Sequence, residues 1–351
     1  MATTTMPVIV VIFFLGLVSL VQSTFATGNN AARLGSVTAF TAPTTTTSTP
    51  SFIPVVGRRN NNHHASATAT GLSAAASSAE TPPPPPDMDD VGFVVLAGGT
   101  GSRMKANMPK QYLPLKGTPV LHYSLDLFLE RLGEYCSSQQ ENTKPPKYVV
   151  LVMDPSYQDQ YRSVLTGPYK DRFGIASPGV ERQGSVENGV KALVELSAGK
   201  CQYVAIHDSA RPLVTIQEIC NVVRDAKTHG AAVLGVPCKA TIKESDDGTF
   251  VQRTIPRSRL WEVHTPQVIK VDTLLRGFEK VDAENLEVTD DVSIVEALKE
   301  PVKLTLGEYT NLKITTPEDM DVATAILNDR SDGGRVSKIF DSIEPVASRK
   351  A

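Results

Sequence analysis

From Val91 onward the chain alternates between two hydrophobic rhythms. Short apolar, β-branched runs occur at 93–98 (FVVLAG), 148–153 (YVVLVM), 203–208 (YVAIHD) and 231–236 (AAVLGV), each ending at or just before a polar residue, glycine or proline. Runs this continuous predict strands buried on both faces, as in a parallel sheet. Between them the period changes. Val186, Val190, Leu193 and Val194 fall on one face of a helix predicted to start near Gln183. Farther on, 315–327 (TTPEDMDVATAIL) presents Thr316 as an N-cap, Pro317 at the first helical position, and Glu318 and Asp319 in the first turn. This alternation predicts an α/β fold, an open, mostly parallel sheet with helices on both faces. No internal repeat interrupts it.

One segment departs from the pattern. Residues 238–261 hold two strand-like pieces around Asp247-Gly248, a hairpin signal, with little apolar content. Two such strands cannot bury themselves, so a protruding β-arm packed on a second copy of the chain is expected, and with it a homodimer.

The first 86 residues read differently. Val8 to Val21 is an apolar run of 14 residues, too short for a membrane span and suited to a signal-peptide core. A Ser/Thr/Ala-rich stretch follows, from Ser23 to Ser78, and before Glu80 the only charged residues are Arg33, Arg58 and Arg59. Signal followed by transit-like segment resembles the bipartite presequence of proteins sent to plastids bounded by extra membranes, with Phe40 in "SVTAFTAP" at the processing point. Five prolines, Pro82 to Pro86, are expected to form a stiff spacer. The predicted organisation is a largely disordered presequence and linker over 1–86, a folded domain over 87–330 and a C-terminal tail over 331–351, with no membrane association in the mature form.

Charge narrows the partners. The 35 basic residues include those three arginines, whereas all 38 acidic ones lie from Glu80 onward, so the folded part is mildly acidic. General nucleic-acid binding is excluded on that ground. Cys136, Cys201, Cys220 and Cys238 lie far apart without CxxC or zinc spacing, which predicts ordinary reduced thiols and argues against a secreted destination.

A basic cluster within such a domain is aimed at a small anion. "AGGTGSRMKANMPKQ" (97–111) follows the first predicted strand, where an open parallel sheet binds its ligands. Gly98, Gly99 and Gly101 let backbone N–H groups approach a phosphate, and Arg103 and Lys110 supply charge. The Walker pattern is absent, and Met104 stands where a dinucleotide fingerprint needs its third glycine. A second cluster, "HDSARP" (207–212), puts Asp208 at a strand end. There it could hold Mg2+ together with phosphate oxygens, and Arg211 is expected to face the same crevice. His207 reads as a packed imidazole.

Taken in order, "AGGTGSRM", "PKQY", "ERQGSV", "HDSARP", "LWEVHTPQ", "VTDD" and "NLKITTPED" resemble the 2-C-methyl-D-erythritol 4-phosphate cytidylyltransferase family over Val91 to Asn328. The resemblance implies a Rossmann-like nucleotidyltransferase fold and a Mg2+-dependent enzyme of isoprenoid synthesis, housed in the plastid stroma, that joins CTP to 2-C-methyl-D-erythritol 4-phosphate. It implies that Ala97, Gly98, Gly99, Gly101 and Arg103 hold the triphosphate, with Lys110 beside the α-phosphate. Gly179, Val180 and Ser185 match the cytosine neighbourhood, and Asp208 and Lys313 match positions near the metal and the reacting phosphates. Arg211, Thr265 and Thr289 match the methylerythritol phosphate site, while Thr241 and Arg257 match residues that reach into a neighbouring subunit. Gly184, Ser209 and Ala240 depart from the family pattern. Two other functions stay open at this point: a cytidylyltransferase for another polyol phosphate such as ribitol 5-phosphate, and a nucleotide-binding module without turnover.

Overall fold

The computed structural model describes residues 83–99, 101–139, 143–331 and 334–343. Of the presequence and linker assigned to 1–86, residues 1–82 lie outside them. Among the described residues no helix is long and apolar enough to cross a membrane.

Seven strands form the central sheet: β1 (Val91–Ala97), β4 (Tyr148–Met153), β5 (Phe173–Ala176), β6 (Tyr203–Asp208), β7 (Ala231–Pro237), β10 (Trp261–Lys270) and β11 (Lys303–Leu306). Their order is β11-β7-β10-β6-β1-β4-β5. Two short ladders lie apart from it, β2 (Pro114–Leu115) with β3 (Thr118–Pro119) and β8 (Lys243–Glu244) with β9 (Arg253–Thr254). The helices are α1 (Val120–Asp126), α2 (Leu132–Gln139), α3 (Pro155–Gln158), α4 (Arg162–Thr166), α5 (Arg182–Leu196), α6 (Ile216–His229), α7 (Val271–Glu284), α8 (Asp291–Ala297) and α9 (Pro317–Asp329).

The apolar runs are buried on both sides, as their continuity requires. In β1, Phe93 and Val95 join the core under α1, α2 and α6, whereas Val94 joins the core under α5, α7 and α8. Along α5, Val186, Val190 and Leu193 are fully buried. A smaller cluster of Met104, Leu115, Leu213, Ile314 and Leu327 seats α9 against the glycine-loop side of the domain. All four cysteines are buried free thiols.

β1 pairs in parallel with both β4 and β6, so the chain leaves β1 to one side and later returns to the other. The crevice at the carboxyl ends of β1 and β6 is therefore the topological switch point of the sheet. The four expected strands all run in one direction, and a further strand is inserted among them. β10 lies antiparallel between β6 and β7, and β7 has its parallel partner in β11. β7 and β10 are joined directly through residues 238–260, and a direct return to a neighbouring strand is antiparallel, with the arm as its excursion. Trp261, assigned to the arm from sequence, begins β10.

The arm itself is a two-rung ladder, Lys243 with Thr254 and Glu244 with Arg253. Asp247-Gly248 does not make a two-residue hairpin. Instead the Asp247 carboxylate accepts from the N–H groups of Thr249 (2.8 Å) and Phe250 (2.9 Å), shaping a longer loop. At the other boundary the last prolines lie on the domain, since Pro85 is buried and Arg224 donates to the Pro84 carbonyl at 2.8 Å.

Candidate active site

Beyond Ala97 the glycine loop is fixed by two local devices. Gln111 donates through Nε2 to the carbonyl oxygens of Ala97 (2.6 Å) and Gly99 (3.0 Å), tying the loop to the Lys110–Tyr112 turn. Gly101 has φ +65°, and a Cβ there would lie 2.9 Å from the Lys110 backbone nitrogen. Only glycine meets both conditions. Facing this loop, the segment at Gly179 is equally tight. A Cβ on Gly179 would fall 2.5 Å from the carbonyl carbon of Gly184, whereas one on Gly184 would make ordinary contact with Gly179 at 3.4 Å. Ser185, in the first turns of α5, accepts from the Gly179 N–H at 3.0 Å and donates to the Glu181 carbonyl at 3.0 Å.

Between these walls lies a cleft of about 340 Å3 that gathers Ala97, Gly98, Gly99, Lys110, Gly179, Val180, Ser185, Asp208 and Lys313 from the sequence-derived set. At its centre Asp208, at the end of β6, accepts from Lys313 Nζ at 2.6 Å. Arg182 approaches the other carboxylate oxygen at 3.5 Å. Lys110 Nζ donates to the carbonyl oxygen of Ile314, next to Lys313, at 2.7 Å. Two cations from distant parts of the chain therefore pair with one carboxylate, and a third, Lys110, lines the same cleft.

Their ionisation follows from that grouping. Burial alone would raise the Asp208 carboxyl, but Lys313 and then Arg182 hold it well below the usual carboxylate range. Lys110 is lowered to about 8 by burial and by the neighbouring charge of Lys313, with Arg103 adding to the shift and Asp208 opposing it. Burial works against the Arg182 charge, yet Asp291 and Asp208 more than offset it and keep the guanidinium protonated. That guanidinium forms a bidentate pair with Asp291, which is 1 % exposed.

His207 is fully buried, and burial lowers it to about 4, so it stays neutral. Thr265 Oγ1 accepts from the Asp208 N–H at 3.1 Å and lies 3.2 Å from His207 Nδ1, while Nε2 lies 3.2 Å from the Arg211 carbonyl. The network assigns the imidazole proton to Nε2. His207 and Thr265 thereby set the backbone at Asp208 and expose no base to the cleft.

The remaining expected residues are placed less centrally. Gly101 and the exposed Arg103 flank the loop without lining the cleft. Arg211 does not line it either. It is buried, and its guanidinium donates to the carbonyl oxygens of Asn311 (2.7 Å) and Val263 (3.3 Å), so it joins two backbone segments behind Asp208. Thr289 is exposed just before Asp290, the N-cap of α8. Thr241 and Arg257 are exposed on the arm, with Arg257 donating to the Lys239 carbonyl at 3.0 Å.

Sequence reasoning gave no role to Gln111, Arg182 or Asp291. All three stand inside the quoted runs "PKQY", "ERQGSV" and "VTDD". An arginine opening a helix reads by default as a solvated charge, and only the fold reveals its buried partner 109 positions away.

Among the described residues no group of three or more His, Cys, Asp or Glu could cage a metal. One ionised carboxylate beside a phosphate-sized space does fit Mg2+, which binds through one or two carboxylates plus phosphate oxygens and water. A glycine loop, clustered cations and a single carboxylate are the residue types that suit a polyanion with a divalent counter-ion.

The chain has extensive relatives. A family model described as 2-C-methyl-D-erythritol 4-phosphate cytidylyltransferase matches residues 91–329. The chloroplastic enzyme of that name from Oryza sativa subsp. japonica is 47% identical over 243 residues, 68% of this chain and 75% of the relative. The one from Pelotomaculum thermopropionicum is 38% identical over 257 residues, 72% of this chain and 99% of the relative. Among solved structures, 4-diphosphocytidyl-2C-methyl-D-erythritol synthase from Anaerococcus prevotii superimposes with a TM-score of 0.57 at 25% identity, over 69% of this chain and 99% of the other. With its sheet, its glycine loop and its cation-ringed aspartate in one cleft, the chain belongs to the 2-C-methyl-D-erythritol 4-phosphate cytidylyltransferase family.

Proposed function

We propose that this cleft transfers the cytidylyl group of CTP to 2-C-methyl-D-erythritol 4-phosphate, yielding 4-diphosphocytidyl-2-C-methyl-D-erythritol and pyrophosphate in isoprenoid biosynthesis. The observation that carries the reading is the pairing of Lys313 and Arg182 with Asp208, with Lys110 lining the same cleft at the switch point of the sheet. A phosphate oxygen of the acceptor forms a bond to the α-phosphorus of CTP. The bond from that phosphorus to the bridging oxygen breaks, and pyrophosphate leaves with the electron pair.

The barrier is the approach of two anions, so the residues act through charge and position. Ala97, Gly98, Gly99 and Gly101 present the loop backbone to the triphosphate, with Arg103 at its rim. Lys110 and Lys313 hold positive charge where the α-phosphoryl group becomes more negative. Gly179, Val180 and Ser185 shape the wall for cytosine. An attacking phosphate dianion needs no proton removed, which agrees with a neutral, buried His207. Asp208 would hold Mg2+ together with phosphate oxygens. Charge on the departing pyrophosphate is what a bound Mg2+ neutralises.

The acceptor pocket is assigned to Thr265 and Thr289, with Arg211 supporting it from behind and Thr241 and Arg257 contributed by the arm of a second copy. Exposed Phe250 and Val251, 76% and 61% accessible near the arm's tip, support that docking in a homodimer. Plastid location rests on the transit-like composition of residues 23–78 and on the chloroplastic relative from rice.

The test offers the purified protein CTP, ATP, GTP or UTP with Mg2+ and either 2-C-methyl-D-erythritol 4-phosphate or ribitol 5-phosphate, and measures pyrophosphate. Release with CTP and the methylerythritol phosphate is expected. Release only with ribitol 5-phosphate would transfer the enzyme to another polyol, and no release with any pair would leave a nucleotide-binding module.

A further inference from the structure

Residues 334–343 lie beyond the 91–329 family match and fold back onto the domain. Phe340 and Ile343 are 3% and 6% exposed and belong to the same core cluster as Tyr112. Phe340 stacks on His122 of α1 with ring centroids 5.0 Å apart, and the Ser337 N–H donates to Asp126, at the end of α1, at 2.9 Å. The segment and Tyr112 border a common cavity of about 530 Å3, so its grip is concentrated in these few contacts. α1 in turn holds the catalytic side: the Val120 N–H donates to the Leu113 carbonyl at 3.1 Å, and Leu113 donates to the Lys110 carbonyl at 3.2 Å. The His122 ring also meets Tyr161, within the core that contains Tyr112.

We propose that Phe340 is a positioning residue for the Lys110–Tyr112 turn, the C-terminal segment acting as a clasp on α1 behind the cleft. Its catalytic consequence rests on the role given above to Lys110. The clasp fixes the back of the turn whose front carries the Nζ, and displacement of such a group by about 1 Å costs up to about a hundredfold in rate.

The test uses the full chain with Phe340→Ala and, separately, Ser337→Pro. Ser337 has φ −62° and ψ 144°, which proline adopts, so the second variant keeps the backbone path while removing both the N–H and the hydroxyl that Ser337 offers to Asp126. Hydrogen exchange at Tyr112 and Leu113 is expected to accelerate about tenfold in both, with the amides of β1 unchanged. Turnover is expected to fall by about tenfold or more, with KM for CTP within about threefold, and Phe340→Leu is expected to restore most of it. Unchanged exchange at Tyr112 and Leu113, or equal acceleration in β1, overturns the clasp. Faster exchange in the turn with unchanged turnover overturns Phe340 as a positioning residue for the reaction, and the role of Lys110 is read separately from Lys110→Gln.

Discussion

Replacing Lys110 with glutamine removes a charge while leaving an amide able to donate to the Ile314 carbonyl, which the lysine reaches at 2.7 Å. The size of the loss follows from the surroundings. Lys110 is lowered to about 8, so near pH 7 it is about nine-tenths protonated and its charge is present in the working enzyme. A unit charge about 4 Å from the reacting phosphoryl oxygens, at an effective dielectric of about 20, contributes about 4 kcal/mol. At about 1.4 kcal/mol per decade that is close to a thousandfold in rate. Loss of a single transition-state donor in other enzymes costs about a hundredfold to a thousandfold, so the two routes agree. Single-turnover quench flow with CTP labelled at the α-phosphate gives the chemical step, and equilibrium titration gives Kd for CTP. The chemical step is expected to slow by about 100- to 1000-fold and Kd to rise by less than about tenfold. A chemical step within threefold of the parent would refute the assignment, and a loss confined to Kd would make Lys110 a ground-state binding residue.

Three further outcomes follow from the same geometry. Arg182→Met leaves Asp291, 1 % exposed, without its bidentate partner, and denaturant unfolding is expected to show a loss of about 3–5 kcal/mol, partly recovered when Asp291→Leu is added. Gly179→Ala forces a Cβ to 2.5 Å from the backbone of Gly184, and overpacking of about 1–3 kcal/mol should lower the melting temperature by several degrees while the displaced wall raises KM for CTP at least about fivefold. The lowered Lys110 group loses its proton as pH rises through about 8, so kcat/KM for CTP should fall above that pH, whereas an alkaline limb beginning near 10 would contradict the shift produced by burial and Lys313.

What was legible in the sequence follows from the range over which each pattern acts. β1, β4, β6 and β7 and the helix carrying Val186, Val190 and Leu193 were readable because their apolar period is local. The glycine loop and Asp208 were readable because strand ends in an open α/β sheet are where ligands collect. β10 was not, since its first residues are partly exposed and Pro266 interrupts it at an irregular register between Val263 and Gln267. The pairing of Arg182 with Asp291 and the turning of Arg211 onto the Asn311 carbonyl are long-range electrostatic choices that spacing does not encode. Composition likewise gave residues 331–351 only as a tail, because two buried side chains, Phe340 and Ile343, are too few to make a period.

Lys110, Lys313 and Asp208 are assigned to one phosphoryl group, and a crystal structure with a non-hydrolysable CTP analogue and Mg2+ examines that directly. An α-phosphate within hydrogen-bonding reach of the Nζ of both Lys110 and Lys313, with the ion on Asp208, is the arrangement expected. A triphosphate bound elsewhere, with the Lys313–Asp208 pair intact at 2.6 Å and Lys110 still on Ile314, would contradict it.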